Sequence, residues 1–315
     1  MSCKQVRRVV GFLALTIGGL ALSSQAQQPK VNFKFANLSV PGAMETDALA
    51  INNKGMVAGD YINAAGTRQG MLLKGGNVTA ASCPAGGATA FYGVNSGGSA
   101  AEAYDDGGDA YCGNGITFYQ ILHHHWNYVP ENWGALVTET IGINDMNLVV
   151  GLWQDANQQL HGFSYNLSTN GFVPLDPPGS GGTVAWGVNN AGLITLEAVD
   201  PASGLVHSYL FNGNSYINID VPGALQSFAH GINNNGDIVY TVEDANGNSW
   251  GVFFYATLQQ FYWFNQPDGR DNTRGYGIND EVATRAGTRL KIVGEYTPVG
   301  STQNLAYEAT VSIKP

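Results

Sequence analysis

The sequence repeats one short phrase six times, and this repeat limits the possible folds more than any other feature. Each copy ends a hydrophobic stretch with Ile or Val followed by Asn, at Asn52, Asn95, Asn144, Asn189, Asn233 and Asn279. The spacings between successive copies are 43, 49, 45, 44 and 46 residues. Periods of about 20–50 residues are typical of propellers and solenoids, in which each repeat is one supersecondary unit.

Each copy contains four short segments with strand character. The first begins with Thr or Ser and ends at the aligned Asn, as in TDALAIN and TVAWGVN. The second and third are hydrophobic, as in LVVGLW and HGFSYN, and the fourth ends near Pro-Gly, as in INIDVPGA. Proline cannot donate to a β ladder, so Pro-Gly marks the end of an outer strand. The pattern predicts an all-β fold, a six-bladed β-propeller with four antiparallel strands per blade.

The turn between the first two strands has a recognisable chemistry. Gly lies three residues after the aligned Asn in INNKG, VNNAG and INNNG, where a short hairpin requires a positive φ. The third copy has Asn147 at this position, and Asn is the best non-Gly residue for that conformation. We therefore expect a positive φ at Asn147. The sixth copy, INDEVATRAGTR, has a longer loop instead.

The two ends of the chain complete each other. VNFKFANLSVPGA is a fourth strand without the three strands that should precede it, and NLAYEATVSIKP is a third strand without a fourth. We expect the N-terminal strand, Phe33 to Val40, to pair with Leu305 to Ile313 in the last blade. This closure would make residues 27–315 a single propeller domain of six repeats, without exposed sheet edges.

The first 26 residues have the pattern of a secretory signal peptide. Lys4, Arg7 and Arg8 precede the apolar run VVGFLALTIGGLAL, and SSQA ends in the small-x-small pattern of a cleavage site. An uncleaved N-terminal anchor is the alternative. No later segment is apolar and long enough to span a membrane. The sequence therefore predicts a secreted or periplasmic protein whose mature chain lacks a membrane span.

The charge balance limits the classes of partner. Without residues 1–26 the chain has 11 Lys and Arg against 24 Asp and Glu, a net charge of about −13. Nucleic acids and anionic membrane surfaces would repel such a chain. We expect a monomer that binds an extracellular carbohydrate, peptide or protein. Aromatic side chains suited to stacking on sugars are Trp126, Trp133, Trp153 and Trp250.

The repeat resembles a known family. The clearest copy reads INDMNLVVGLW, then HGF at His161 to Phe163, then LDPPGS. This resembles the HAF family of bacterial extracellular repeats, whose consensus runs roughly G-I-N-x-x-G-x-I-V-G, then H-[AG]-F, then D-x-P-G-[AS]. In the other copies the His161 position is occupied by Gln69, His207, Trp250 and Leu305. The resemblance implies an exported repeat protein and carries no established reaction, so it supplies no catalytic residues.

One position in the first strand varies while the frame around it is kept. Its second residue is Asp47, Ala90, Glu139, Val184, Phe228 or Arg274. First strands of a propeller begin at one mouth of the axial channel, and a variable position there indicates a surface in use. We predict that Asp47, Glu139 and Arg274 bind a cation or a polar sugar. The alternative is that they are solvated charges at strand starts.

The loops between second and third strands lie on the same face and are acidic. They read YDDGGDAY, WQDANQQLH and EDANGNSW. Their carboxylate and amide oxygens suit Ca²⁺, which is the one cofactor that we consider, although such residues are also common in turns. The predicted rim group therefore also includes Asp105, Asp106, Asp109, Asp155 and His161. His161 and His207 lie at the start of third strands, so we expect both to have structural rather than catalytic roles.

Two further features carry chemistry. Cys83 and Cys112 should lie on the same face in adjacent blades, so we predict a disulfide, which would contribute roughly 3–4 kcal/mol by closing a loop of about 30 residues. In ILHHHWNYVPENW, His123 and His125 are the only pair of the three His that could share a metal, because strand neighbours point to opposite faces. The alternative is a polar strand start.

These observations favour a secreted binding module with an unidentified ligand over an enzyme. No H-E-x-x-H motif or phosphate loop occurs in the sequence. A secreted hydrolase or lyase that acts on a polysaccharide through rim carboxylates, with or without Ca²⁺, is the competing class. A structural repeat in a cell-surface assembly is a third hypothesis.

Overall fold

The structure is a computed structural model that describes residues 29–82, 88–103, 115–120, 125–130, 134–269 and 271–314. Every regular element in these ranges is a β-strand, as the sequence predicts. In the same ranges, no helix is long and apolar enough to cross a bilayer.

The strands follow the repeat. The chain enters through β1 (Lys30–Asn37) and then forms five four-stranded sheets. The first contains β2 (Glu45–Ile51), β3 (Val57–Ile62), β4 (Arg68–Lys74) and β5 (Asn77–Ala81). The second contains β6 (Ala90–Val94), β7 (Ser99–Ala103), β8 (Gly115–Gln120) and β9 (His125–Pro130). The third contains β10 (Val137–Ile143), β11 (Leu148–Gln154), β12 (Leu160–Asn166) and β13 (Gly171–Leu175).

The remaining strands continue the same order. The fourth sheet contains β14 (Thr183–Val188), β15 (Ile194–Val199), β16 (Val206–Phe211) and β17 (Tyr216–Asn218). The fifth contains β18 (Gln226–Ile232), β19 (Ile238–Glu243), β20 (Ser249–Tyr255) and β21 (Gln260–Phe264). The last strands are β22 (Thr273–Ile278), β23 (Val282–Thr284), β24 (Gly287–Tyr296) and β25 (Leu305–Lys314). The fold is an all-β β-propeller, with each first strand nearest the axis.

The last sheet closes the ring with the N-terminal strand. Its order is β22-β24-β25-β1, and β1 is antiparallel to β25 with Phe33 opposite Val311 and Phe35 opposite Ala309. The predicted pairing of the two chain ends is therefore confirmed. The expectation of four strands in every sheet is wrong here, because β23 also pairs with β24. The longer loop of the sixth copy has enough residues to form this additional hairpin.

The predicted turn chemistry is confirmed. Gly55, Gly192 and Gly236 have φ values of +71°, +79° and +84°, and Asn147 has a φ of 60° in the third copy. In the first five copies the side chain of the aligned Asn closes the turn. In the third copy, Asn144 Oδ1 accepts hydrogen bonds from the backbone N–H of Met146 and of Leu148, both at 2.9 Å.

The same Asn side chains also join neighbouring sheets. Each side-chain amide donates to the backbone carbonyl of the aligned Asn in the next sheet, at 2.9–3.1 Å. Five consecutive links run from Asn52 through Asn95, Asn144, Asn189 and Asn233 to Asn279. The Asn side chains are buried, so each link satisfies polar groups that would otherwise lack partners. We call this set of residues the Asn ring.

A second layer of polar links lies beside the Asn ring. The N–H of Asp145 donates to Asn190 Oδ1 at 2.9 Å, and the N–H of Asn190 donates to Asn234 Oδ1 at 2.8 Å. The N–H of Asp280 donates to Asn53 Oδ1 at 2.8 Å, which joins the last sheet to the first. The residue after the aligned Asn thus repeats the inter-sheet contact in these copies.

The glycine before the aligned Ile or Val is required by close packing of adjacent first strands. All six first strands have a β-bulge here, for example between Ala185 and Gly187. A Cβ on Gly231 would lie 2.6 Å from the carbonyl oxygen of Tyr276 in the next sheet. This contact explains why the repeat has Gly, or Ala once, before its final dipeptide.

Apolar side chains fill the space between successive sheets. In one cluster, Val239 and Phe253 of the fifth sheet pack with Ile292 and Tyr307 of the last, and all four are fully buried. Phe33 of β1 stacks on Phe264 with ring centroids 4.9 Å apart. The closing strand is therefore held by core packing as well as by its ladder.

We expect Asn144→Asp to lower the free energy of unfolding by about 1–3 kcal/mol, because the carboxylate keeps the turn acceptor but loses the donor to the next sheet. Asn63→Asp is the matched control. Asn63 Oδ1 closes a similar turn with the N–H groups of Ala65 and Thr67 and is not part of the Asn ring. Urea unfolding of both variants measures the difference, and equal losses would contradict the role assigned to the ring.

Candidate functional site at the axial mouth

The second residues of the first strands pair directly with residues of the second strands. The six pairs differ in chemistry: Asp47–Asp60, Ala90–Ala103, Glu139–Leu152, Val184–Glu197, Phe228–Thr241 and Arg274–Glu295. The first and last of these pairs lie in adjacent sheets, where the ring closes. Their side chains form one charged group, and we call its residues the mouth cluster: Asp47, Asp60, Arg68, Arg274 and Glu295.

One half of the mouth cluster belongs to the first sheet. Two carboxylates lie opposite each other in the ladder, which is unfavourable unless a cation or a proton compensates them. Arg68 supplies part of the compensation. Its guanidinium binds Asp60 and lies 3.5 Å from Asp47 Oδ2. The other oxygen of Asp47, Oδ1, is buried and receives no hydrogen bond from an N–H or hydroxyl group, and the carboxyl group of Asp47 shares a hydrogen bond with that of Glu295.

The other half belongs to the last sheet. Arg274 Nη1 lies 2.9 Å from Glu295 Oε1, and the hydroxyl of Tyr276 donates to the same oxygen at 3.2 Å. The hydroxyl of Tyr307 donates to the carbonyl of Arg274 at 2.8 Å, which fixes the backbone of that strand. The side chains of Arg68 and Arg274 are 28% and 39% exposed, so the cluster reaches solvent.

The charges of the mouth cluster do not balance. Three carboxyl groups face two guanidinium groups. Burial, together with the charge of the adjacent Glu295 and the hydrogen bond that it shares with Asp47, raises the pKa of Asp47 to about 9. Burial likewise raises the pKa of Asp60 to about 7, against the lowering effect of Arg68. A proton on Asp47 therefore compensates the third carboxyl group at neutral pH.

A cavity on the propeller axis is lined by the first strands, and the mouth cluster is not part of its wall. Its volume is about 110 Å³, and the aromatic residues in its wall are Tyr92, Trp186, His230 and Tyr276. The ring centroids of Trp186 and His230 are 4.6 Å apart, and so are those of His230 and Tyr276. The indole Nε1 of Trp186 is buried and has no hydrogen-bond partner. Tyr276 joins the cavity to the mouth cluster through its hydroxyl.

His230 is held by two contacts. Its Nδ1 lies 2.7 Å from the carbonyl oxygen of Gly275, which only accepts, so Nδ1 carries a proton. Its Nε2 faces Glu197 Oε1 at 3.1 Å. His230 is thereby fixed as a structural part of the cavity wall.

The predicted rim residues divide into separate places. Asp47 and Arg274 both lie in the mouth cluster. Glu139 occupies the equivalent position in the third sheet, opposite Leu152. Asp155 and His161 lie at the edge of that sheet, where the ring of Trp153 stacks on His161 with centroids 4.6 Å apart.

His161 and Asp155 have local partners. His161 Nδ1 lies 2.9 Å from Asp176 Oδ2, and Nε2 lies 3.6 Å from Asp155 Oδ2. The backbone N–H of Gln159 lowers the pKa of Asp155, because it donates to the carboxylate within its own turn. These contacts support the structural reading of His161 and the turn reading of Asp155.

Several predictions fall on residues outside the described ranges. These are the acidic loop residues and the cysteines, Asp105, Asp106, Asp109, Cys83 and Cys112, together with His123 and Trp133. The side chains of His125 and Trp126 are also outside the described part. Within the part that is described, no three His, Cys, Asp or Glu side chains are arranged to hold a metal ion.

A nucleophile motif in the sequence has a structural explanation. Residues 247–251 read G-N-S-W-G, which matches the G-x-S-x-G pattern of hydrolases. That pattern is meaningful at a strand-to-helix turn, where the serine is exposed. Here Ser249 begins strand β20, is 2% exposed and has Asn272 as its side-chain neighbour at 3.4 Å. The geometry gives no support for a serine nucleophile.

Sequence reasoning missed three of the five residues of the mouth cluster, Asp60, Arg68 and Glu295. Asp60 and Glu295 follow a glycine at the same point of the second strand, in VAGDY and IVGEY. Those glycines are required because a Cβ would collide with the carbonyl groups of Asp47 and Arg274. The sequence signal for Asp60 and Glu295 was therefore a polar residue directly after a glycine that close packing requires. This signal occurs in the two copies that carry Asp47 and Arg274.

Comparisons with known structures show the fold. The chain is similar to TolB from Acinetobacter baumannii, at 10% identity and a TM-score of 0.54, over 82% of this chain and 65% of that chain. The chain thus spans less than two thirds of TolB. A Dyadobacter fermentans protein of unknown function matches at 9% identity and a TM-score of 0.57, over 89% and 99% of the two chains. No family model matches the sequence, and no curated protein does.

A third similar structure is an arginine-to-alanine triple mutant of AofleA from Arthrobotrys oligospora. It matches at 10% identity and a TM-score of 0.50, over 89% of this chain and 86% of that chain. At these identities the likeness concerns the fold alone. The protein is thus a β-propeller in class, and its function has to be argued from its own residues.

We expect stability to fall as pH rises from about 4 to about 9. The folded-state pKa values of Asp47 and Asp60 lie above the ordinary value of 3.8, so the folded protein binds more protons in this window. Asp47→Asn removes the larger contribution and should flatten the dependence of Tm on pH between 5 and 9. Thermal unfolding across this range measures it.

Asp244→Asn is the control for this experiment. It makes the same Asp-to-Asn change in an exposed turn, where the pKa is lowered by hydrogen bonds from Asn248 and other turn residues. It should shift Tm by a similar amount at every pH in the range. A slope unchanged by Asp47→Asn would show that Asp47 is ionised in the folded protein.

Proposed function

We propose that the protein is an exported, six-bladed β-propeller that binds an extracellular ligand at the axial mouth. The observation that carries this proposal is the charge imbalance of the mouth cluster, in which three carboxyl groups face two guanidinium groups and both arginine side chains reach solvent. A buried charge without a full partner is costly, so such a group is a candidate binding site. A ligand that supplies a cation or hydrogen-bond donors would complete this group.

The blade count is supported by the agreement of repeat and sheet. Six copies of the repeat correspond to five four-stranded sheets and the last sheet, to which β1 belongs. The link between Asp280 and Asn53 runs from the last copy to the first, as a closed circle of six requires.

A HAF-type repeat is supported by two His–Asp pairs. His161 binds Asp176, and His207 Nδ1 lies 2.7 Å from Asp220 Oδ2. The two Asp residues belong to the exits LDPPGS and IDVPGA. Where the sequence lacks the His it also lacks the Asp, as at Gln69 with Cys83, Trp250 with Gln266, and Leu305 with Ser39. The His and the Asp of the consensus thus form one pair within a blade.

Binding is favoured over hydrolysis by the spacing of the carboxyl groups. Glycoside hydrolases keep their two carboxyl groups about 5–9.5 Å apart to flank the scissile bond. Asp47 and Glu295 share a hydrogen bond instead, so their oxygens are too close for a glycosidic oxygen and its carbon to lie between them. The mouth cluster suits recognition of a polar group better than acid–base cleavage.

We expect export to produce a chain that begins at Gln27 and contains a disulfide between Cys83 and Cys112. Intact-mass measurement of protein secreted by a bacterial host gives both results, since the oxidised form is lighter by two hydrogens than the reduced form. A retained N-terminus would contradict cleavage, and an unchanged mass on reduction would contradict the disulfide.

We expect Val184→Trp to abolish binding of any ligand that a glycan and peptide array identifies. Val184 lies at the rim position of the fourth sheet and is partly exposed, so an indole there would obstruct the mouth. Val282→Trp is the control, because Val282 is 61% exposed on the opposite face. If Val184→Trp leaves array binding intact while the fold is retained, the ligand site is not at the axial mouth.

A further inference from the structure

The charge count of the mouth cluster leaves a place for one more cation. Asp47, Asp60 and Glu295 face only Arg68 and Arg274 among the described basic residues. Asp47 is the carboxyl group left without full compensation, since its contact with Arg68 is the long one and its Oδ1 receives no hydrogen bond from an N–H or hydroxyl group. A buried charge without a partner is costly, so the site is completed by a proton or by a ligand cation.

The aromatic residues next to the mouth cluster also suit a cation. Tyr276 binds Glu295 of the cluster through its hydroxyl, and its ring centroid lies 6.3 Å from that of Trp186 in the cavity wall. Ammonium and guanidinium groups bind aromatic faces, and Trp and Tyr are the best partners. The carboxyl group and the aromatic side chains thus favour the same kind of ligand group, a cation.

The face around the mouth is acidic. Its loops and strand ends carry at least partly exposed carboxylates: Glu45, Asp155, Asp200, Asp244, Asp268 and Asp271. Within the described ranges, Arg68 and Arg274 are the only Lys or Arg on this face, and both are paired. Exposed basic residues lie on the opposite face, as Lys54, Lys74, Arg285 and Arg289 do. This asymmetry attracts a cationic partner to the mouth and repels an anionic one.

Three large aliphatic side chains stand around the mouth. Met44, Leu136 and Leu225 are 44%, 48% and 44% exposed. They occupy the same position in the first, third and fifth sheets, where each backbone N–H donates to the end of a second strand. Gly181 has the same bond in the fourth sheet, and Asp271 holds the equivalent position in the last. We call the three side chains the apolar crown.

The apolar crown indicates a polypeptide rather than a sugar. Sugars bind through hydroxyl hydrogen bonds and stacking on flat aromatic rings, whereas aliphatic side chains in a ring fit the apolar residues that flank a bound side chain in a peptide. An anionic polypeptide is excluded by the charge of the face. A basic segment with apolar neighbours fits the incompletely compensated carboxyl group, the acidic face and the apolar crown.

We propose that the axial mouth recognises the Lys or Arg side chain of a basic polypeptide, which inserts beside Asp47 while its apolar neighbours contact the apolar crown. This inference rests on the proposed function, because it names the ligand class for the same site. Binding would replace the proton on Asp47 by the ligand cation. No other part of the mouth cluster has to change.

The experiment uses two labelled peptides with the mature protein. One has a central Lys flanked by Gly and Leu, and the other is identical except for an Nε-acetyl-lysine. Fluorescence anisotropy at pH 7.5 should show the Lys peptide binding about tenfold or more tighter, because acetylation removes the charge that pairs with Asp47. Asp47→Asn should abolish this preference.

Calorimetry gives a second readout. Binding of the Lys peptide in buffers of different ionisation enthalpy should reveal proton release, and affinity should rise as pH increases toward 9. The groups that face Asp47 are Glu295, Asp60 and Arg68, with Glu45, Arg274 and Tyr276 beyond them. Burial raises the pKa of both Asp47 and Asp60 into this range, and Asp47→Asn separates the two.

The apolar crown has its own test. Met44→Ser combined with Leu225→Ser should weaken the Lys peptide several-fold without changing the number of protons released. Val282→Ser, on the opposite face, should leave affinity unchanged. An equal effect of the two would overturn the crown as a contact surface.

The outcomes separate this inference from the proposed function. Equal affinity for both peptides would overturn cation recognition. Cation recognition would also be overturned by a neutral or anionic array ligand whose binding is lost with Val184→Trp. In that case the mouth would still be the binding site. An array ligand unaffected by Val184→Trp would overturn the proposed function itself. If the protein self-associates at low salt and the Lys peptide does not reverse this, the occupant of the mouth is a second copy of the chain. The assignment of the mouth to a basic polypeptide would then be overturned.

Discussion

The hydrogen bond from one Asn side chain to the next sheet is the interaction on which the rest of the structure depends. A single residue performs two tasks, since Asn144 Oδ1 closes its own turn while its amide nitrogen reaches Asn189 in the next sheet at 2.9 Å. The turn therefore cannot form in its native shape without presenting the donor to its neighbour. Repetition of this contact sets the distance between sheets near the axis. The bulge and the glycine before the Asn then permit the backbones to approach closely.

This arrangement divides each first strand into a structural end and a variable end. The Asn end meets its neighbours through identical contacts, so it has the same residues in every copy. The other end lies five residues away at the opposite mouth, where no inter-sheet contact requires a particular side chain. That end can hold Asp47 in one sheet and Arg274 in the next. The mouth cluster arises where these two variable ends are adjacent, at the closure of the ring.

The sequence predicted the features that depend on local chemistry or on the repeat. The positive φ at Asn147 followed from the turn alone, and the pairing of β1 with β25 followed from two incomplete repeats. The additional strand β23 was not expected, because a longer loop does not reveal whether it will pair. Glu295 and Asp60 were missed because their approach to Asp47 depends on cross-strand register and on contact between the first and last sheets. Asp155 was placed in the rim group, but its own turn supplies its hydrogen bonds, which acidic composition alone does not reveal.

The central claim is that Asp47 carries a proton at neutral pH, because three carboxyl groups face two guanidinium groups in a buried site. The most direct measurement is a carbon-13 NMR titration of the Asp47 side-chain carboxyl, assigned by comparison with Asp47→Asn. The account predicts that this carboxyl titrates at a pKa of about 9. Titration near the ordinary value of 3.8 would show that the site is already compensated, and the charge argument for its ligand would be contradicted.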